Sequence, residues 1–366
     1  MKLKKQLSLL LCGALMVSAL AGCGNDGSSS SASGNASDRS ESVSSSQSAS
    51  AGTGDSSSDS YVCPDLMVLS GPTGVGAAKL MADNENVTAE AVANGEINPS
   101  ISSAVVEADN QVVSSALING DADIAAVATN VAATLVNKNP ESIQVLAVNT
   151  LGVLYILEKG DTVTSMADLA GKTVYATGEG ANPEYVLNYL LTENGVDPAD
   201  VDIQWMTAHE VTAQMVSSED GICMLPVPAA TALMIQDSGV RQALSLTDEW
   251  SSVSDGELAM GCIVARTDYI EENPLGVENF LRAYEESIEY MSNPDNLEEA
   301  AELVAQYGIT ANANIAKAAI PQCNLVCLTG DEMKSVLEAY YQVLFDADPT
   351  SIGGALPDAS FYYGAQ

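Results

Sequence analysis

Basic residues are scarce in this chain: 13 Lys and Arg stand against 49 Asp and Glu, a formal net charge of −36 over 366 residues. Lys2, Lys4, Lys5 and Arg39 account for four of the 13, leaving nine beyond residue 60. Such a field repels phosphate backbones and anionic lipid surfaces, which excludes nucleic acid as a partner. Histidine is scarcer still, with His209 alone. Without a second histidine or a second close pair of cysteines, the usual Cys/His zinc sets cannot be assembled, and no metal is expected. The seven cysteines, once Cys12 and Cys23 are set aside with the N-terminal segment, leave five, an odd number that argues against a full disulfide framework. Cys223 and Cys262 sit in apolar strand-like runs and read as core, while the spacing of Cys323 and Cys327 leaves a local disulfide open. Tryptophan occurs twice. Trp205, at a strand end, and Trp250, in a connector, could each stack on a planar solute or simply pack.

Long apolar runs are also missing, apart from Leu7 to Leu20, which follows three lysines and is too short for a comfortable membrane span. It ends in Leu20-Ala21-Gly22-Cys23. A basic start, an apolar run and this ending read as an export signal over 1–22, and the ending resembles the bacterial lipobox, which implies a lipid on Cys23. Residues 24–60 hold 17 serines and Val43 as their only sizeable apolar residue, so they cannot offset the entropy of ordering. They are expected to be a flexible tether, with the folded part at the outer face of the cell membrane.

From residue 61 onward, short β runs alternate with amphipathic helices, the pattern of a parallel sheet with crossover helices. Strands are expected at 64–70, 88–94, 123–129 and 143–149, with helices at 74–82, 110–119 and 130–138. The apolar stretch 151–163 is too long for a loop and leads into a fresh strand-turn-helix unit. There Asn182 is read as an N-cap with Pro183 in the first turn, followed by a strand at 201–206. Thr207 to Glu210 spells a capping box, and "GICMLP" is a further strand. Residues 240–257 read as a connector and 258–266 as a strand returning the chain. Helices follow, one with its N-cap at Asp331. Two lobes joined by two crossings result: 61–155 with 259–366, and 156–258, with a cleft between them.

"LSGPTGVGAAKL" (69–80) is the strongest candidate for a ligand loop. Gly71 to Gly76 has P-loop spacing, but Ala77 and Ala78 replace the lysine and the magnesium-binding hydroxyl. The order Gly71, Gly74, Gly76 also fails the dinucleotide fingerprint. What remains is a helix start offering backbone N–H groups to some other ligand. Ligands of open α/β sheets sit beyond the carboxyl ends of the strands. The candidates at such ends are Thr73, Gly74, Val75 and Gly76; Thr129 and Asn130; Asn149 and Thr150; Gly178, Glu179, Gly180 and Asn182; and Pro226 and Pro228. No Lys or Arg falls among them, so an anion would meet no opposite charge. Glu179 is the one charged candidate and could meet an amine.

"LSGPTGVGAAKL", "ALINGDADIAAVAT", "MADLAGKTVYAT" with "LLTENGVDPADVDIQWM", and "GCIVARTDYIEENPLGVENFLRAYEESIEYM" together cover most of 64–291. Their order and spacing resemble the substrate-binding lipoproteins of ATP-binding-cassette (ABC) importers, within the group that handles nitrate, sulfonates, taurine and thiamine precursors. The resemblance implies an α/β, two-lobed, type II periplasmic-binding-protein fold that closes around a small solute and hands it to a membrane permease. It implies a monomer with no cofactor and no catalytic residue. Two alternatives stay open. One is an enzyme like the synthases of the thiamine-precursor branch, which consume their own histidine and a bound pyridoxal phosphate; the other is a surface sensor or adhesin on the same fold.

Overall fold

A computed structural model describes residues 62–94 and 99–366. The signal segment, Cys23 and the serine-rich stretch lie outside these residues. Among the described residues, eleven strands build two sheets. The first contains β1 (Asp65–Leu69), β2 (Ser103–Glu107), β3 (Ile124–Ala128) and β4 (Ile143–Thr150). The second takes β5 (Leu154–Lys159), β6 (Thr173–Ala176), β7 (Asp202–Trp205), β8 (Gly221–Pro226) and β9 (Val240–Ser245). The chain then returns to the first sheet with β10 (Gly261–Arg266) and β11 (Leu325–Leu328).

The spatial orders are β11-β4-β10-β3-β1-β2 and β7-β6-β8-β5-β9. Strands β1, β2 and β3 pair in parallel, as do β6, β7 and β8. The strand entered just after each crossing runs antiparallel to both of its neighbours, and β11 likewise lies antiparallel to β4. β5 follows the first crossing and lies antiparallel to β8 and β9, while β10 follows the second and lies antiparallel to β3 and β4. Central strands covered on both faces need near-continuous apolar sequence. That is what "IAAVA" and "GCIVAR" supply: Ile124 to Val127 and Cys262 to Ala265 are fully buried. Each such Val or Ile contributes about 1.5–3 kcal/mol relative to leaving it in water.

Several expectations need correction. Residues 88–94 do not form a strand; Ala89–Ala93 is a short helix. The Thr88 hydroxyl accepts from Ala91 N–H at 3.1 Å, and Ala and Glu favour helix over strand. The second strand is instead Ser103–Glu107, an edge strand whose first three residues are exposed, so it lacks the apolar run that would mark it. The expected connector 240–257 contains β9 and the helix Leu246–Val253. Trp250 of that helix is buried between Tyr189 and Tyr340, ring centroids 5.1 and 5.5 Å away, and its indole N–H donates to Gly256 O at 2.7 Å. It packs the core and is not available for stacking on a solute. The last long helix, Gly330–Ala347, starts from Thr329, with Asp331 inside its first turn.

All five described cysteines are free. Cys223 and Cys262 are fully buried, as their apolar surroundings imply, and burial pushes the Cys223 thiol up to about 12. No described helix is long and apolar enough to cross a membrane.

Candidate functional site

The carboxyl ends of β1, β4, β6 and β8 and the start of β10 meet around one cavity of about 180 Å³. The first sheet contributes Ser70 to Thr73, Thr150, Met260 and Gly261. The second contributes Leu154, Thr177, Gly178, Ala181 to Pro183, and Pro226. The helix Pro72–Glu85 points its start at this space from one side, and Asn182–Glu193 does so from the other.

The expected glycine loop is mostly helix. The turn is confined to Ser70 and Gly71, because Pro72 with its fixed φ opens the helix. Thr73 reaches the cavity, but Gly74, Val75 and Gly76 are buried in the helix body. A Cβ on Gly74 would lie 2.5 Å from Leu69 O, and one on Gly76 would lie 2.5 Å from Ile288 Cδ1. These glycines let a helix approach its own strand and a neighbouring helix. Gly71 differs, since a Cβ there would meet nothing within 4 Å.

Asn182 is the first residue of its helix, after an Ala181 N-cap, rather than the cap. Its side chain is fully buried and crosses to the first sheet. Nδ2 donates to Thr129 Oγ1 at 2.8 Å and to Met260 O at 2.7 Å. Oδ1 accepts from Tyr340 OH at 3.0 Å and Asn130 N at 3.3 Å. Both donors and both acceptor positions of the amide are therefore used, and Asn182 acts as a brace between the sheets.

Thr129 and Asn130 are buried and do not line the cavity, and Thr129 Oγ1 donates to Ala259 O at 2.6 Å. Asn149 also lies off the cavity wall, with Nδ2 donating to Tyr284 OH at 2.9 Å. Thr150 lines the cavity, is 1% exposed, and its hydroxyl has no hydrogen-bond partner among the described residues. Pro226 lines the cavity and Pro228 is buried away from it.

Glu179 and Gly180 are exposed and face a wider outer pocket of about 1020 Å³ beside the cavity. That pocket also takes in Asp109, Lys138, Trp205 and Glu210. Gly178 borders both spaces. Residues that sequence reading passed over include Ser70, Asn110, Thr177, Met260 and Gly261. Only the pairing register, which sets Gly261 opposite both Ala128 and Thr150, brings the start of β10 to this place.

Pyridoxal phosphate would require a lysine for its imine and donors for its phosphate, and the cavity wall contains neither Lys nor Arg. His209 is exposed in the first turn of the helix Ala208–Ser217, which the Thr207–Glu210 capping box opens as its spelling implies. The residues present do not fit that cofactor. Among the described residues, no group of three or more His, Cys, Asp or Glu is placed to hold a metal.

Two doubly crossed α/β sheets with a cavity at their carboxyl edges define the two-lobed fold of periplasmic binding proteins. Within it the particular family is shown by sequence: the model described as NMT1/THI5 like matches residues 105–297, just over half of the 366, and the chain belongs to that family. No curated protein matches the chain by sequence. Among solved structures, an ABC transporter protein from Parabacteroides distasonis is similar at 22% identity and TM-score 0.66, covering 83% of this chain and 99% of its own. The periplasmic aliphatic sulphonate-binding protein SsuA of Escherichia coli is similar at 15% identity and TM-score 0.64, covering 80% and 94%. The periplasmic nitrate-binding protein NrtA of Synechocystis follows at 16% and 0.51, covering 72% and 69%. The latter two are named for binding and not for a reaction.

Proposed function

We propose that this chain is an extracytoplasmic solute-binding lipoprotein that captures a small solute in the cleft between its sheets and delivers it to the permease of an ABC importer. The observation that carries this reading is the convergence of strand ends from both sheets on one cavity. Among the described residues, the chain passes between the sheets only from Thr150 to Leu154 and from Val253 to Gly261. Two short links are the arrangement a hinge needs. The lobes are 61–155 with 259–366, and 156–258. Thr73, Thr150, Gly178 and Pro226 meet the solute, with Asn182 bracing the wall, while Glu179 and Gly180 sit at the mouth. Cys23 carries a lipid, residues 24–60 tether a monomer to the outer face of the membrane, and the chain performs no catalysis, since the cleft wall lacks Cys, His, Lys, Asp and Glu.

The test is retention of a solute. The full chain is mixed with a small-molecule extract of bacterial culture, desalted, and analysed by mass spectrometry after denaturation. Wild type is expected to retain a solute, and Gly71→Leu, whose side chain would enter space where nothing lies within 4 Å, to retain none at an unchanged melting temperature. Equal retention by the two proteins, or none by wild type, refutes the reading.

A further inference from the structure

Resting on the solute-binding reading, we infer that the cleft takes a solute without net charge and anchors it through the buried hydroxyl of Thr150. None of the 19 residues lining the cavity is Lys, Arg, His, Asp or Glu. A desolvated ion of either sign needs an opposite charge or a dense set of hydrogen bonds to replace its water. Opposite charge is absent, so an anion would depend on the hydroxyl and amide side chains of the wall and on helix N-termini.

Each of those N-termini lacks part of its donor set. Pro72 occupies the first position of one helix and Pro183 the second of another, and neither has an N–H. At the start of the helix Thr129–Lys138, Thr129 N donates to Met260 O and Asn130 N to Asn182 Oδ1, both at 3.3 Å. Ahead of the helix Ala229–Gln236 stand Pro226 and Pro228, which again lack the group. Sequence and packing have each removed N–H groups from the places where an anion would seek them.

The approach to the cavity adds to this. Asp109, Glu179 and Glu210 border the outer pocket against Lys138 alone among its basic residues, on a chain of net charge −36. Anions are repelled at the mouth, and cations attracted there find no carboxylate within. An uncharged solute escapes both penalties.

Such a solute still needs a polar contact to fix its orientation, and Thr150 supplies one. At 1% exposure its Oγ1 is cut off from water and has no protein partner among the described residues. A hydroxyl in that position costs stability until a ligand group pairs with it, and it can both donate and accept. Its neighbour Asn149 leaves Oδ1 unpaired too, but that atom lies against Gly261, 2.7 Å from where a Cβ would be, and not on the cavity wall.

The experiment uses the full chain and three probes: the solute retained from the culture extract, sodium ethanesulfonate and sodium nitrate. The retained solute is expected to show no electrophoretic mobility at pH 7 and an affinity that changes less than twofold between 10 and 500 mM NaCl. The two salts are expected to give no thermal shift beyond that of NaCl. Thr150→Val is expected to weaken retention at least tenfold, and Thr150→Ser to restore it to within threefold. A charged retained solute, a specific shift with ethanesulfonate or nitrate, or unchanged retention in Thr150→Val with its melting temperature preserved overturns this inference and leaves the binding reading standing. If wild type retains nothing and no probe shifts it, the binding reading falls and the inference falls with it.

Discussion

The first strand-to-helix turn of each sheet makes an instructive pair. β1 leads through Ser70 and Gly71 into Pro72–Glu85, and β6 leads through Thr177 to Ala181 into Asn182–Glu193. Both are rich in glycine, carry proline at the helix start and border the same cavity. Yet the glycines do opposite things. In the first, Gly74 and Gly76 are ordinary helical residues whose missing side chains permit close packing. In the second, Gly178 at φ 98° and Gly180 at φ 71° take left-handed backbone that other residues reach only with strain. Only the second turn also reaches over to the other sheet, through Asn182. One turn is rigid because it is tightly packed, and the other because it is pinned.

Breaking the pin should produce the largest effect. Asn182→Ala leaves Thr129 Oγ1, Met260 O, Tyr340 OH and Asn130 N–H short of a buried partner, and should cost about 3–4 kcal/mol. Urea unfolding would register this as a lower midpoint at unchanged slope. A loss below about 1 kcal/mol would mean that the bracing bonds are replaced by water.

A second pin, at the far end of β5, sharpens the contrast between the sheets. Among the described residues, Glu158 is the one buried charged side chain, at 2% exposure. It accepts from Thr162 N at 2.9 Å, Thr162 Oγ1 at 2.7 Å and Val163 N at 3.1 Å, and pairs with Arg241. Burial pushes its carboxyl up, but the hydrogen bonds from Thr162 and Val163 with Arg241 alongside hold it below the ordinary range on balance. A lowered folded-state value means the stabilisation is complete above the unfolded value, about 4.3, and is lost as pH falls through the folded one. Glu158→Gln should cost about 2–3 kcal/mol at pH 7. The gap from wild type should narrow below pH 4, as urea midpoints at pH 3, 4, 5 and 7 would show. A constant gap would remove Glu158 from the acid response.

The two kinds of glycine then separate by size of effect. Gly178→Ala incurs both left-handed strain and a Cβ 2.5 Å from Pro183 Cγ, about 2 kcal/mol in all. Gly74→Ala pushes a methyl against Leu69 O, but the helix regains some propensity, so the net loss should be about 1 kcal/mol. Thermal melts of the two variants side by side would test the order, and a larger loss for Gly74→Ala would reverse the assignment.

This pair also explains what could be read from the residues. The fold was legible because central strands such as "GCIVAR" are apolar throughout and the capping box at Thr207 marks its helix unambiguously. Edge elements such as β2 and β9 were not, since a strand buried on one side or barely buried carries a weak pattern. Glycine in both turns marked stretches that border the cavity. It did not distinguish a packing contact from a ligand wall, because that depends on Ile288, more than 200 residues along the chain. The four bonds of Asn182 were hidden for the same reason: their partners come from 129–130, 260 and 340.

The smallest stability effect belongs to Gly71, and it divides packing from function in the first turn. Its φ of 162° is extended backbone that alanine also adopts, and nothing within 4 Å obstructs a methyl group. Replacing glycine there narrows the unfolded ensemble, which favours folding by about 0.4–1 kcal/mol. Alanine is also a poorer N-cap than glycine, which opposes that gain by an amount of the order of a few tenths to 1 kcal/mol. The two nearly cancel, so Gly71→Ala should melt with wild type to within about 0.5 kcal/mol. The methyl nevertheless projects from the cleft wall. Retention of the culture-extract solute should therefore fall while stability holds, the reverse of the expectation for Gly74→Ala, whose methyl lies behind the wall. If Gly71→Ala binds as wild type does and Gly74→Ala does not, the solute reaches the helix body, and the boundary drawn between the packed part of this turn and its open part is in the wrong place.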